Sequence, residues 1–231
     1  MKRILTTLKE KWPEYILEVI VLVIGIYGAF ALNSWNEGRK ENIQKHELVK
    51  SIIVDLAVKK EEIFQDKNGL SRLDSIARKT LNDWEKKQLL DSLSIPPLIR
   101  LIGVKQAFFE EKTPTYENAA SQDVYRQLPD SLIREITNLH VARFGRIKRI
   151  FGVMEAQGQS ITLSYLVPNH LHNGKRSLKK LHQIIMKNPE EFLSYVELYQ
   201  NELTDALTQL DRSLSDIDKL TQNLEKYLKK S

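Results

Sequence analysis

Apolar residues along this chain keep the spacing of helix faces almost everywhere, and in one place they stop alternating with polar ones altogether. Residues 19–32 carry no charge and are mostly large and apolar, and Tyr15, Ile16 and Leu17 extend the run past one acidic interruption at Glu18. Such a stretch is about 18 residues, roughly 27 Å of helix, which suffices for a thin bilayer. Apolarity on all faces argues against a half-buried helix of a soluble domain. Bulky and polar Asn33, Ser34, Trp35 and Asn36 follow, where a cleaved signal peptide needs small residues. Trp12 and Trp35 bracket the segment with Tyr15 just inside, as expected of aromatic anchors at the two headgroup levels. The pattern therefore predicts a transmembrane helix over residues 15–34, a short basic segment over 1–14 and a soluble helical-bundle domain over 35–231.

At about 100° per residue, Glu18, Leu22, Gly25, Ala29 and Asn36 fall near one face of that helix. Gly25 and Ala29 have the small-xxx-small spacing that lets two helix backbones approach. A carboxylate about one turn inside the boundary is best tolerated against a partner, a watery gap or the interface. The expected use of this face is helix packing between copies, with snorkelling of Glu18 to the headgroups as the alternative.

Downstream, helix follows helix. Ile43, Leu48, Ile52, Leu56 and Ile63 continue the first helix past the membrane boundary, and Lys67, Asn68 and Gly69 are expected to stop it. Leu70, Leu73, Ile76, Ala77, Leu81 and Trp84 then mark a second amphipathic helix, antiparallel to the first. Residues 94–97 form a break, and a third helix is expected over 97–109. Thr113 reads as the N-cap of a short fourth helix with Pro114 at its first position. Helical spacing resumes at Asp130 and runs to about Leu166, with Gly145, Gly152 and Gly158 marking close packing or a bend. Residues 167–174 are a loop. Asn188, Pro189 and Glu191 make a strong helix start. From there Phe192, Val196, Tyr199, Leu203, Ala206, Leu210, Ile217, Leu220 and Leu224 keep a coiled-coil-like heptad register in which Ser213 takes one apolar place. The fold class is all-α: one transmembrane helix continuing into an antiparallel bundle with a long amphipathic C-terminal helix, whose stripe is expected to pack within the chain.

The run EVIVLVIGIYGAFALNSWNEGRK, then HELVKSIIVDL and TPTYENAASQDVYRQLPDSLIREITNLH, resembles the bacterial single-pass membrane family known as domain of unknown function 6090. In that family a span of this form precedes an amphipathic helix ending in Asp-Leu, here Asp55 and Leu56, and a Thr-Tyr block, here Thr115 and Tyr116. Where the family often has Gly after the small residues, this chain reads Ala119, Ala120 and Ser121. The resemblance implies an architecture and a location in the bacterial inner membrane, and no activity. Flanking charges are nearly balanced: Lys2, Arg3, Lys9 and Lys11 precede the span, and Arg39, Lys40, Lys45 and Lys50 follow it. A short basic N-terminus on a signal anchor points to a periplasmic soluble domain, and the opposite topology stays open.

Composition narrows the chemistry further. The 231 residues contain no cysteine, which excludes disulfides and thiolate sites, and 28% are charged with only 9 Gly and 7 Pro, as long helices require. The formal net charge of +5 is what a solvated helical surface produces. His170 and His172, with Asn169, Asn173 and His182 in reach, are too weakly spaced to read as a metal site. Arg143, Arg146, Lys148 and Arg149, and again Lys175, Arg176, Lys179 and Lys180, form basic clusters without interleaved aromatics, so no nucleic acid is expected. No catalytic residue, metal or cofactor is expected and the chain is read as no enzyme. The expected function is a membrane-anchored helical interaction or assembly module, bound to the lipid bilayer, self-associating as a homo-oligomer and meeting any protein partner through its soluble bundle. Two alternatives remain: an oligomeric pore or transport accessory with Glu18 on the contact face, and a membrane-tethered enzyme.

Overall fold

In the computed structural model the described residues are 12–87, 89–103, 109, 111–171 and 177–230, without the side chains of 13–15. All secondary structure among them is helical. Helix α1 spans Trp12–Lys87 as 76 unbroken residues, about 114 Å at about 1.5 Å per residue. Short helices α2 (Ile95–Ile102), α3 (Pro114–Ala119) and α4 (Asp123–Arg126) follow. A continuous helical rod then contains α5 (Asp130–Thr137), a π-helical turn at Asn138–Phe144, α6 (Gly145–Ile161) and a second π-helical turn at Thr162–Leu166. Helix α7 (Leu178–Ile185) leads into α8, Pro189–Lys230.

The expected stop at Lys67, Asn68 and Gly69 is overturned. Helix α1 runs straight through it, and Leu70 to Trp84 continue the same helix instead of folding back as a second one. A Gly in a helix interior costs only about 1 kcal/mol, and the seam against α8 outweighs that. Ile63 and Ala77 on either side are fully buried, and Lys67 reaches Asp211 of α8 at 2.5 Å. The partner of α1 is therefore α8. Lys60 meets Asp218 at 2.6 Å, Gln200 donates to Asp74 at 3.1 Å and Trp84 donates to Glu190 at 3.0 Å. Numbers rise along one helix as they fall along the other.

The heptad stripe of α8 is buried as its spacing requires: Phe192, Val196, Tyr199, Leu203, Ala206, Leu210, Ile217, Leu220 and Leu224 all lie in the core of this one chain. Ser213 is also fully buried, its hydroxyl donating to the Gln209 carbonyl at 2.9 Å. That bond satisfies the polar group where the register wants an aliphatic one.

Smaller elements differ in detail. Helix α2 starts at Ile95, before the two prolines expected to break the chain, because Pro96 and Pro97 occupy the first turn, where a missing N–H costs nothing. It ends at Ile102, so the expected extension to Phe109 fails, and residues 104–108 lie outside the described set. Thr113 caps α3 as expected, its side chain accepting from the Tyr116 N–H at 3.4 Å. Of the three glycines, Gly158 marks a close approach: a Cβ there would sit 2.6 Å from the Gly103 carbonyl oxygen and 2.6 Å from the Tyr199 hydroxyl. That hydroxyl donates to the Met154 carbonyl. Gly152 faces open space, and Gly145 has only an ordinary contact with Glu111, so neither explains itself by packing.

Candidate membrane-contact and helix-packing surface

Among the described residues, the first third of α1 stands apart from the other helices. It contains the one described stretch long and apolar enough to cross a membrane, with mean hydropathy 2.2 over 18 residues, and none of that window is buried. Leu17, Val21, Leu22, Ile24, Tyr27, Phe30 and Leu32 all expose more than half of their surface. Soluble proteins rarely leave so large a contiguous apolar surface open.

On the expected packing face, Glu18, Leu22, Gly25, Ala29 and Asn36 are all exposed along one side of the helix, and no described atom lies within 4 Å of a Cβ built on Gly25. Among the described residues, nothing occupies the face at Gly25. Trp12 and Trp35 are 62% and 67% exposed, at opposite ends of the apolar window, where an anchoring ring belongs. Tyr15 lies in the helix, but its side chain falls outside the described residues, as does the segment 1–11. Beyond Asn33, whose amide donates to Glu37 at 2.9 Å, the same helix becomes polar without a break.

A second constellation, a buried polar node, emerges about 20 residues further along α1. Asp55 accepts from the Thr115 N–H at 2.7 Å, and Thr113 accepts from the Tyr116 N–H. Both N–H groups belong to the first turn of α3, which has no internal partner for them, and a carboxylate also suits the positive end of a helix. Thr113 Oγ1 lies 3.2 Å from His140 Nε2, and His140 Nδ1 lies 2.8 Å from the Ile136 carbonyl oxygen. Since a carbonyl can only accept, Nδ1 carries the proton and Nε2 accepts from Thr113. The imidazole stacks on Tyr116, with ring centroids 4.1 Å apart and planes 12° apart. Burial holds the His140 pKa below its ordinary value. Nearby, Lys59 stands over the Phe109 ring at 4.9 Å and pairs with Glu62 at 2.8 Å.

Asp55, Thr115 and Tyr116, noticed in the sequence as separate motif residues, thus meet. His140 and Lys59 were not singled out there. A histidine on the apolar stripe of the 130–166 rod was the available signal, because a helix-face polar residue among Ile136, Leu139 and Phe144 has to be buried with partners. Chemically the node is a clamp that pins α3 between α1 and the π-helical turn. The metal reading of His170 and His172 gains nothing: His172 lies outside the described residues, His170 adopts a left-handed backbone with φ 55°, and His182 bonds the Leu90 carbonyl at 3.2 Å. Within the first basic cluster, Arg143 is paired with Asp216 at 2.7 Å and Lys148 with Glu111 at 3.2 Å. Lys175 and Arg176 lie outside the described residues, and Lys179 and Lys180 are exposed.

No family model, curated protein or solved structure matches this chain.

Proposed function

We propose that this protein is a membrane-anchored interaction or assembly module, without a reaction of its own, whose soluble part is an antiparallel helical bundle. It self-associates in the bilayer through the face bearing Glu18, Leu22, Gly25, Ala29 and Asn36. One observation carries the reading: the exposed apolar window and the buried seam of the bundle belong to a single uninterrupted helix, Trp12–Lys87. A continuous helix is a rigid lever, so any packing of the window against a second copy fixes the orientation of the bundle above it. Conversely, a partner gripping the bundle turns the window. The location that fits this design is the bacterial inner membrane, with the bundle on the periplasmic side.

Between helices in lipid there is no hydrophobic driving force, so association rests on close backbone contact, which Gly25 and Ala29 permit. Gly25→Leu is expected to shift the purified protein from oligomer to monomer, while Ile24→Leu, on another face, leaves the distribution unchanged. Crosslinking or mass photometry of the three proteins in one detergent reads this directly. A monomeric wild type, or three equal distributions, refutes the packing face. Wild type and Glu18→Ala in liposomes separate the pore reading, because an interaction module passes no ions with either residue, whereas a pore conducts and loses its flux with Glu18→Ala.

A further inference from the structure

Helix α8 ends beside the stretch of α1 that leaves the membrane. Tyr227 packs against His46, ring centroids 6.2 Å apart, and because the two helices run in opposite senses the last turn of α8 points back toward Trp35. That turn carries Lys226, Lys229 and Lys230, all exposed, and spacings of three and four gather them on one face. Farther out, Lys60 pairs across the seam with Asp218 and Lys67 with Asp211, and Arg78 pairs with Asp74 within α1. Among the described residues, Lys226, Lys229, Lys230, Arg39, Lys40 and Lys45 have no ion pair. Glu37, Glu41 and Glu225 sit at the same end and leave a cationic excess. Below His46, along the same side of α1, Ser34, Trp35, Gly38, Arg39, Asn42 and Ile43 line an open notch between this base and the membrane boundary.

Distance permits contact with headgroups. About 11 residues of α1, roughly 16 Å, separate His46 from Trp35, and the final lysines extend a few ångströms back toward the membrane from that level. A headgroup layer of about 5–7 Å and an extended lysine side chain of about 6 Å close most of the gap, and the rest is within a Debye length of about 8 Å. Clustered cations immediately beside a span are attracted to anionic lipid surfaces.

We propose that the base of the bundle, formed by Lys226, Lys229 and Lys230 with Arg39, Lys40 and Lys45, is a second membrane contact that binds anionic lipid headgroups. The proposal rests on the reading of α1 as the anchor. Its consequence is that lipid charge, and not only the apolar span, sets the tilt and height of the bundle over the bilayer.

The test uses the full chain with one introduced cysteine, Gln222→Cys, on the exposed side of α8, labelled with a donor dye. The protein is reconstituted into nanodiscs of phosphatidylcholine alone or with about one-third phosphatidylglycerol, each carrying a headgroup-attached acceptor. Energy transfer is expected to rise about twofold with the anionic lipid, to fall back in 0.5 M salt, and to stay at the neutral-lipid level in the Lys226→Gln, Lys229→Gln, Lys230→Gln variant, whose helix content is checked by circular dichroism. Equal transfer in the two bilayers, a rise that survives high salt, or a rise unchanged in the triple variant overturns the headgroup contact while leaving the span intact. Failure of the wild type to incorporate into either nanodisc overturns the span as well.

Discussion

His140 shows what a single side chain does in this bundle. Its ring is fully buried, stacked on Tyr116, edge-on to Phe144 and bonded at both nitrogens, with Asp55 and Lys59 as the charged groups close enough to bias it in opposite directions. Removal from water dominates, so the neutral form is favoured and the folded-state pKa lies below the ordinary 6.5. When the chain unfolds, the imidazole takes up a proton near its ordinary value. The stabilisation is therefore complete above about pH 6.5 and is lost as the pH falls from there toward the folded-state pKa. In urea titrations between pH 8 and pH 5, the wild type is expected to lose more stability than His140→Gln. Parallel curves would mean that His140 ionises in the folded state as it does in the unfolded chain, and a wild type that gains stability relative to His140→Gln as the pH falls would mean that the folded state favours the charged ring.

Among the elements, α1 departs furthest from the extent its pattern predicts. Lys67, Asn68 and Gly69 carry the composition of a helix stop, yet a stop also requires the following residues to find their apolar partners elsewhere. Here α8 is long enough to cover Leu70, Leu73 and Ala77 in line with Ile63, so the helix continues. Gly69 is exposed, has no positive φ, and a Cβ on it meets nothing within 4 Å. Gly69→Ala should then stabilise the protein by about 0.5–1 kcal/mol through reduced chain entropy and better helix propensity. A turn with Gly69 in a left-handed conformation would instead make the alanine destabilising. The denaturant midpoint, at unchanged slope, decides which sign holds.

For the whole molecule, the arrangement is a rod of about 114 Å whose lower part is bare and whose upper part is clad by the remaining helices. If the bare part is the membrane anchor proposed above, the side on which the cladding lies can be read chemically because the chain has no cysteine of its own. Ser215 is exposed on α8, away from the seam. Ser215→Cys is expected to react with a membrane-impermeant thiol reagent in intact spheroplasts, as a periplasmic bundle requires. Labelling only after lysis reverses the topology.

Periodicity alone was enough for the all-helical class, the continuous apolar window and the buried stripe from Phe192 to Leu224, because an all-round apolar helix and a helix buried on one face each leave a local, regular pattern in the chain. The Thr113 cap was legible for the same reason, since its partner lies three residues away. Contacts between distant segments left no such trace. Asp55 and Thr115 are 60 positions apart, and Thr113 and His140 are 27 apart, so their meeting depends on how α3 docks between α1 and the π-helical turn. The continuity of α1 at Gly69 likewise depended on α8, whose apolar stripe had to be long enough to repay a weak local signal with burial along the full seam.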